Sequence, residues 1–189
     1  MSQKIGLVLD INVYIDGFAD NNASSRACFD LILKRPDFIL VTSEYIIEKT
    51  DEVFKQRLGY NQVLLDEVFQ EYNTLLDDLE AQDRLDYSPT HAFESEARTI
   101  YNLGLDDSHI YKLAFRNKPS IIITRDENDF GELKRTKPDR GVFIYSPKEF
   151  IYQFQARTKK PPTKPSPGLQ FGMNPLNFQP GQGGLGRQI

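Results

Sequence analysis

The sequence has one cysteine, two histidines and no tryptophan, and this excludes several kinds of site. A single thiol, Cys28, cannot form an intramolecular disulfide. Together with His91 and His109 it cannot supply the ligands of a structural zinc site. No run of about 18 apolar residues is present for a membrane span, and the apolar run before Asp10 is too short and too early for a signal peptide. We therefore expect a soluble, cytoplasmic protein with no membrane association.

A broad basic face is also lacking, because the net charge is −4. No acidic residue follows Glu149, whereas five basic residues do: Arg157, Lys159, Lys160, Lys164 and Arg187. Removing their five positive charges leaves −9 on the rest of the chain. A protein that coats nucleic acid would carry the opposite sign over a wide surface. An acidic body fits a domain that concentrates carboxylates for a metal, although charge alone decides nothing.

Short apolar runs alternate with helical patterns along residues 1–158. The runs predict strands at Lys4–Leu9, Phe38–Thr42, Arg84–Tyr87, Ser120–Thr124 and Val142–Tyr145. Apolar residues three and four positions apart predict helices at Arg26–Lys34, Ser43–Leu58, Asn61–Glu80, Glu94–Leu103, Asp107–Asn117 and Pro147–Arg157. Continuously apolar strands separated by helices are typical of a parallel sheet covered on both faces. The sequence therefore predicts an α/β fold, a three-layer α/β/α sandwich with four or five parallel strands.

The composition changes at Lys159. Residues 159–189 hold six of the 11 prolines and six of the 12 glycines, and such a segment buries too little apolar surface to offset the entropy of ordering. We predict a disordered or extended basic tail behind a domain of residues 1–158. Four large apolar side chains in the tail leave open the alternative that it docks on a partner: Phe171, Met173, Leu176 and Phe178.

Acidic residues recur where separated segments reach one edge of the predicted sheet, beyond the carboxyl ends of the strands, where open parallel sheets form their active sites. They are Asp10 after the first strand, Glu44 and Glu48 after the second, Asp106 and Asp107 before the fourth, and Asp126 and Asp129 after it. Each alone has an ordinary explanation as a helix cap, a solvated helix face or a turn residue. Gathered together, they would raise one another's pKa unless a cation neutralised them. We therefore expect a hard divalent ion, Mg²⁺ or Mn²⁺.

Four motifs resemble, in order and spacing, those of the PIN-domain family. They are L-D-I-N-V-Y-I-D, T-S-E-Y-I-I-E-K, D-D-S-H-I-Y-K-L-A and I-I-I-T-R-D-E-N-D-F, and the resemblance spans about residues 4–150. The sequence looks most like the PIN ribonucleases of bacterial toxin–antitoxin pairs. This resemblance implies four metal-binding and catalytic carboxylates: Asp10, Glu48, Asp107 and Asp126. It implies supporting roles for Asn12, Thr124 and Asp129, with Asp106 and Glu44 as the alternatives to Asp107 and Glu48.

The same resemblance implies a reaction and its partners. Water activated by the bound ion would hydrolyse RNA phosphodiesters, leaving a 5′-phosphate and a 3′-hydroxyl. A cognate antitoxin and a homodimer are implied as well. Arg125 and Lys112 flank the acids and are candidates to contact RNA phosphates, although solvated surface charge is the ordinary explanation. His109 is expected to be an exposed residue of a first helical turn.

The sequence departs from the family pattern at two points, and it also bears on rival assignments. Ile11 stands where threonine is commoner, and Asp126 and Asp129 are three positions apart where the family often has two.

A haloacid-dehalogenase-type phosphatase needs a second aspartate where this chain has Asn12, and a receiver domain needs an early acidic pair. No glycine-rich loop follows a predicted strand, which excludes a P-loop or dinucleotide site. A non-catalytic interaction module of the same fold stays open, although drift would be expected to remove at least one of the carboxylates.

Overall fold

Five parallel strands form one sheet in a computed structural model that describes residues 4–88, 103–136 and 141–155. The strands are β1 (Ile5–Leu9), β2 (Phe38–Thr42), β3 (Leu85–Tyr87), β4 (Ser120–Ile123) and β5 (Val142–Tyr145). Their order across the sheet is β3-β2-β1-β4-β5, and every neighbouring pair is parallel. The predicted α/β class is confirmed, and of the predicted four or five parallel strands the sheet has five.

Seven α-helices are described. They are α1 (Ile11–Tyr14), α2 (Ala23–Lys34), α3 (Glu44–Arg57), α4 (Gln62–Ala81), α5 (Leu105–Arg116), α6 (Phe130–Thr136) and α7 (Pro147–Gln155), and a π-helical segment, Ile15–Ala19, continues α1. The predicted helix at Glu94–Leu103 falls outside the described residues except for its last position. The sequence reasoning missed α1, the π-helical segment and α6, because elements this short show too few apolar repeats to reveal a helical period.

The central strands are buried on both sides. Every residue of β4 is buried, and Leu7, Val8 and Leu9 of β1 are at most 1% exposed. Because successive side chains of a strand point to opposite faces, burial of consecutive residues means that both faces of the sheet are covered. One part of the core is an aromatic cluster, in which Phe18 stacks on Phe29 at 4.6 Å between ring centroids. Its members are Tyr14, Phe18, Phe29, Phe54 and Tyr72.

A buried arginine holds the end of α2. Arg84 is 4% exposed, and its guanidinium donates to four backbone carbonyl groups at the end of that helix and beyond it. The acceptors are the carbonyl oxygens of Ile32, Leu33, Arg35 and Phe38. The last carbonyls of a helix have no partner within the helix and carry partial negative charge, so a cation satisfies them well. The sequence placed Arg84 in the third strand; the strand begins at Leu85, and the side chain of Arg84 anchors α2 instead.

The strand order fixes where a site can form. From β1 the chain crosses to β2 and β3 on one side of the sheet, and later to β4 and β5 on the other. Successive crossovers therefore diverge at the carboxyl ends of β1 and β4. This position is the switch point of the sheet, where open α/β sheets bind their ligands. The register pairs Leu9 with Ile123, so the residues that follow, Asp10 and Thr124, leave the sheet side by side.

The chain divides into two units, Met1–Lys159 and Lys160–Ile189. The predicted tail, with its apolar side chains, lies outside the described residues. In the part of the chain that is described, no helix combines the length and apolar character that a bilayer crossing requires.

Candidate metal centre

Asp10 is a buried carboxylate fixed by neutral donors. It directly follows β1, caps the amino end of α1 and is 5% exposed. One carboxylate oxygen, Oδ2, accepts hydrogen bonds from Thr124 Oγ1 at 2.5 Å and from Asn12 Nδ2 at 2.6 Å. Burial raises the pKa of Asp10 to about 6; the hydrogen bonds from Thr124 and Asn12 oppose that rise, and the charge of Asp126 adds to it. Asp10 is thus held in one orientation by Thr124 and Asn12, and no cation is among its hydrogen-bond partners in the described part of the chain.

Asn12 and Thr124 also join the two loops that follow β1 and β4. The side-chain oxygen of Asn12 accepts the backbone N–H of Arg125 at 3.2 Å. The hydroxyl oxygen of Thr124 accepts the backbone N–H of Asp126 at 2.9 Å. Because each side chain binds both Asp10 and the loop after β4, the carboxylates of the two loops are set relative to each other.

Three further carboxylates come together beside Asp10. Oxygen atoms of Asp107, Asp126 and Asp129 all lie within 4.8 Å of one another. A tight turn brings in Asp129, because Oδ1 of Asp126 accepts the backbone N–H groups of Asn128 at 2.7 Å and of Asp129 at 3.1 Å. The three-residue spacing of Asp126 and Asp129, unusual for the family motif, therefore still places both side chains in the cluster.

Asp107 is the carboxylate most affected by its neighbours. It lies in the first turn of α5 and is half-buried. Burial raises its pKa well above the ordinary value, and so do a hydrogen bond shared with Asp129 and the charges of Asp10, Asp129 and Asp126. A shared hydrogen bond between two carboxyl groups requires a proton. The neighbouring carboxylates therefore disfavour the ionised form of Asp107 as long as no cation lies among them.

Gly104, just before α5, leaves room for this arrangement. A Cβ atom there would lie 3.1 Å from Oδ2 of Asp107 and 4.0 Å from Oδ2 of Asp129. The backbone φ of Gly104 is −57°, which any residue adopts, so what this position restricts is space. A side chain at this point would press on the carboxylates.

A divalent cation fits this set of residues. The donors are carboxylate oxygens, which Mg²⁺ and Mn²⁺ prefer. The nearest arginine in the sequence, Arg125, forms an ion pair with Asp16. The charges that act on Asp107 are negative and disfavour its ionised form, and a bound cation would reverse that effect.

The structure does not bring every predicted residue into the cluster. Glu44 and Glu48 are exposed on α3. Burial, and then the charges of Glu44 and Glu48, raise the pKa of Tyr87. Burial also raises the pKa of Asp51, and the charge of Glu48 adds to that rise. Asp106 accepts a hydrogen bond from the hydroxyl of Tyr45, so of the two adjacent acids only Asp107 faces the cluster. Lys112 is half-buried on α5.

The sequence reasoning missed a contact between α3 and α5, and it was wrong about His109. This histidine is 9% exposed rather than solvated; its Nε2 lies 3.2 Å from Oγ of Ser43, and its ring packs on Tyr45 at 4.5 Å. Together with the Tyr45–Asp106 hydrogen bond, this contact ties the first turn of α5, and hence Asp107, to the start of α3. His109 and Asp106 are three positions apart and therefore lie on one face of α5, and this spacing could have indicated that both contact the same neighbour.

Comparison with known proteins agrees with the motifs. A family model for the PIN domain matches residues 6–128, more than half of the chain. No curated protein matches the sequence. A toxin–antitoxin complex from Klebsiella pneumoniae is 17% identical, with 75% of this chain and 97% of that chain covered and a TM-score of 0.47. The structure of VapBC2 from Rickettsia felis bound to a DNA fragment from the promoter is 14% identical, with 75% and 98% covered and a TM-score of 0.49. The family match, together with the parallel sheet and the carboxylates at its switch point, shows that this chain belongs to the PIN-domain family.

Proposed function

We propose that the protein is an endoribonuclease that hydrolyses RNA phosphodiesters at this centre with Mg²⁺ or Mn²⁺. The single observation that carries the proposal is the meeting of Asp10, Asp107, Asp126 and Asp129 at the switch point of the sheet. Membership of a family made up in general of metal-dependent nucleases supports it. RNA as the substrate rests on the resemblance of the motifs to PIN ribonucleases.

The carboxylates of Asp107, Asp126 and Asp129 would hold the ion, with Asp10 beside them. The motif spacing assigns Glu48 to the same set; its side chain is exposed on α3 outside the cluster, so it would have to turn towards the ion to join. When bound, the ion supplies positive charge that lowers the pKa of a water molecule and offsets the negative charge developing on the phosphate.

The chain itself supplies position. Thr124 and Asn12 fix Asp10, and the turn after Asp126 fixes Asp129, so the acceptors are arranged before any ligand arrives. A site held by packed and hydrogen-bonded neighbours loses little free energy to reorganisation during the reaction. Arg125 and Lys112 are the proposed contacts to RNA phosphates.

The first acid of the site argues against phosphatase chemistry of the haloacid-dehalogenase type. That chemistry needs a carboxyl group two positions after Asp10 to move a proton. Asn12 occupies that position, and its amide donates to Asp10 Oδ2 at 2.6 Å. An amide in this role holds the carboxylate in place and does not exchange protons with a substrate.

The resemblance to PIN toxins further suggests a cytoplasmic toxin with a cognate antitoxin, acting as a homodimer. These statements rest on the motifs alone. Copurification with the product of a short neighbouring open reading frame, followed by release of ribonuclease activity when the two are separated, would test the toxin assignment. Activity unaffected by that product would contradict it.

The nuclease proposal is tested with labelled single-stranded RNA and matched DNA, each with Mg²⁺, Mn²⁺ or EDTA. We expect RNA fragments that carry 5′-phosphates, formed only with a metal and lost in Asp10→Asn and Asp126→Asn. Asp77→Asn, an exposed acid on α4, is the matched control and should cut normally. Cleavage that survives EDTA or the Asp10 and Asp126 variants would rule out this centre. Absence of cleavage with every metal would favour the interaction module.

A further inference from the structure

A small polar cavity lies beside the metal centre on the same edge of the sheet. Its volume is about 270 Å³, and three segments line it: the start of α2, the loop after β4 and the start of α7. The lining residues are Asn22, Ser24, Arg125, Glu127, Ser146, Pro147 and Lys148. We call this cavity the β5 pocket. Pockets for whole small molecules occupy about 300–1,000 Å³, so this one suits a single group of a longer ligand.

The chemistry of the β5 pocket favours an anion. Two cations, Arg125 and Lys148, meet there on a chain whose net charge is −4. Ser24 in the first turn of α2 and Pro147 at the start of α7 line the same space, and the amino ends of helices carry partial positive charge. Arginine, lysine and hydroxyl side chains are the groups that most often contact nucleic-acid phosphates. Glu127 is the one acid among the lining residues.

The two cations of the pocket differ in how much of their charge is available to a ligand. Arg125 is held by its ion pair with Asp16, so part of its charge is already neutralised. Lys148 lies in the first turn of α7 and is exposed. Ser146, in contrast, donates its hydroxyl proton to Glu149 within the cap of α7. Lys148 is therefore the residue whose removal should weaken anion binding most cleanly.

The loop after β4 connects the pocket to the metal centre. The backbone N–H of Arg125 donates to Asn12, and Asn12 donates to Asp10. Ser146 follows β5, which is the next strand after β4 in the sheet. Adjacent strands are about 4.8 Å apart, so the pocket lies roughly 5–10 Å along the sheet edge from the metal centre. A nucleic-acid strand bound at the centre can reach the pocket with a neighbouring phosphate.

We propose that the β5 pocket binds a phosphate group of the RNA strand next to the one that is cut. This proposal rests on the proposed ribonuclease function. With one phosphate at the carboxylates and the next beside Lys148, the strand runs across the sheet edge from β1 towards β5. The pocket then sets the direction of the strand and holds the scissile bond in place.

The test measures binding separately from cleavage. Full-length protein in an Asp10→Asn background is titrated against a short labelled single-stranded RNA with Mg²⁺, over a range of salt concentrations. Lys148→Gln should weaken binding about fivefold and reduce the slope of log K against log salt by about 0.7, the value for one phosphate contact on a single strand. Glu127→Gln should strengthen binding. Lys55→Gln removes the same charge from the end of α3, which points away from this edge, and should leave the slope unchanged.

The possible outcomes separate the two proposals. If Lys148→Gln and Lys55→Gln change the slope equally, or neither changes it, the pocket is not a phosphate site, whether or not the wild-type protein cuts RNA. If Lys148→Gln alone lowers the slope while the wild-type protein cuts nothing with any metal, the pocket stands and the ribonuclease assignment fails. Equal melting temperatures of the variants exclude misfolding as the cause.

Discussion

The carboxylate of Asp10 should lower the stability of the metal-free protein, so removing its charge should raise it. A pKa of about 6 for Asp10 against an ordinary 3.8 corresponds to about 3 kcal/mol at neutral pH. In Asp10→Asn the remaining oxygen still accepts from Thr124 and Asn12. The NH₂ group, however, replaces the oxygen that accepts the backbone N–H of Asn12, and losing that hydrogen bond costs about 1 kcal/mol. The net expectation for Asp10→Asn in EDTA is a gain of about 2 kcal/mol in the free energy of unfolding, or roughly 4–8 °C in Tm.

The pH dependence has a definite sign. Below pH 3.8 Asp10 is protonated in both the folded and unfolded states and contributes no difference. As pH rises towards about 6 the unfolded chain ionises first, so the metal-free wild-type protein loses stability across this interval. Asp10→Asn lacks this contribution, so its advantage over the wild type should grow from pH 4 to pH 7.

Thermal melts in EDTA and in saturating Mn²⁺ measure both effects. A ligand at a hundred times its Kd adds about 2.7 kcal/mol to the folded state, so metal should stabilise the wild-type protein and should stabilise Asp10→Asn much less. Asp77→Asn is the control, and its Tm should match that of the wild type in both conditions. If Asp10→Asn melts at or below the wild-type temperature in EDTA, the carboxylate is not held under electrostatic strain and the reasoning is wrong.

Two further predictions concern Gly104, next to the metal centre, and Arg84, at the end of α2. Gly104→Ala should lower metal affinity about five- to tenfold, because its Cβ would lie 3.1 Å from Asp107 Oδ2. Gly104 is also the N-cap of α5, where alanine is less favourable than glycine, so the metal-free protein should lose about 0.5–1 kcal/mol as well. Calorimetric titration measures the affinity, and Gly131→Ala, whose Cβ would lie 4.0 Å from its nearest neighbour, is the control. Arg84→Ala should cost about 3 kcal/mol in urea denaturation because it leaves buried carbonyls at the end of α2 without donors. Arg84→Lys, which keeps the charge, should cost less; equal losses would contradict this partial rescue and show that a retained charge without the guanidinium hydrogen bonds does not stabilise these carbonyls.

Much of the fold could be predicted because its signals are local. Runs of consecutive apolar residues, such as the three isoleucines of Ser120–Ile123, indicate burial on both faces of a sheet. Long helices such as Gln62–Ala81 show several repeats of the 3.6-residue period. The edge of the sheet where the acids gather follows from strand order once the sheet is parallel. Asp10 and Asp126 could therefore be assigned to one place from the sequence alone.

The remaining details depend on side-chain direction and on turns, which sequence spacing does not fix. Asp106 and Asp107 are adjacent acids in one helical turn, and only packing against Tyr45 shows which one faces away from the cluster. Asp129 reaches the cluster because two backbone N–H groups fold onto Asp126, a hydrogen-bonded turn with no apolar pattern. Glu48 is the opposite case to Asp129: its spacing fits the motif, but its side chain is exposed on α3.

A substitution at Asn12 tests whether a metal ion, and not a side chain, neutralises the carboxylates of this site. Its amide donates to Asp10 Oδ2 and its carbonyl oxygen accepts from Arg125 N–H, so Asn12 makes both contacts without a charge of its own. Asn12→Asp keeps the acceptor, removes the donor and adds a negative charge close to Asp10. The metal-free protein should therefore lose stability at neutral pH, while the rise in Tm on adding Mn²⁺ should exceed that of the wild type, because the ion then neutralises one more charge. An unchanged rise would mean that position 12 lies outside the electrostatic reach of the ion, which would contradict this account of Asn12.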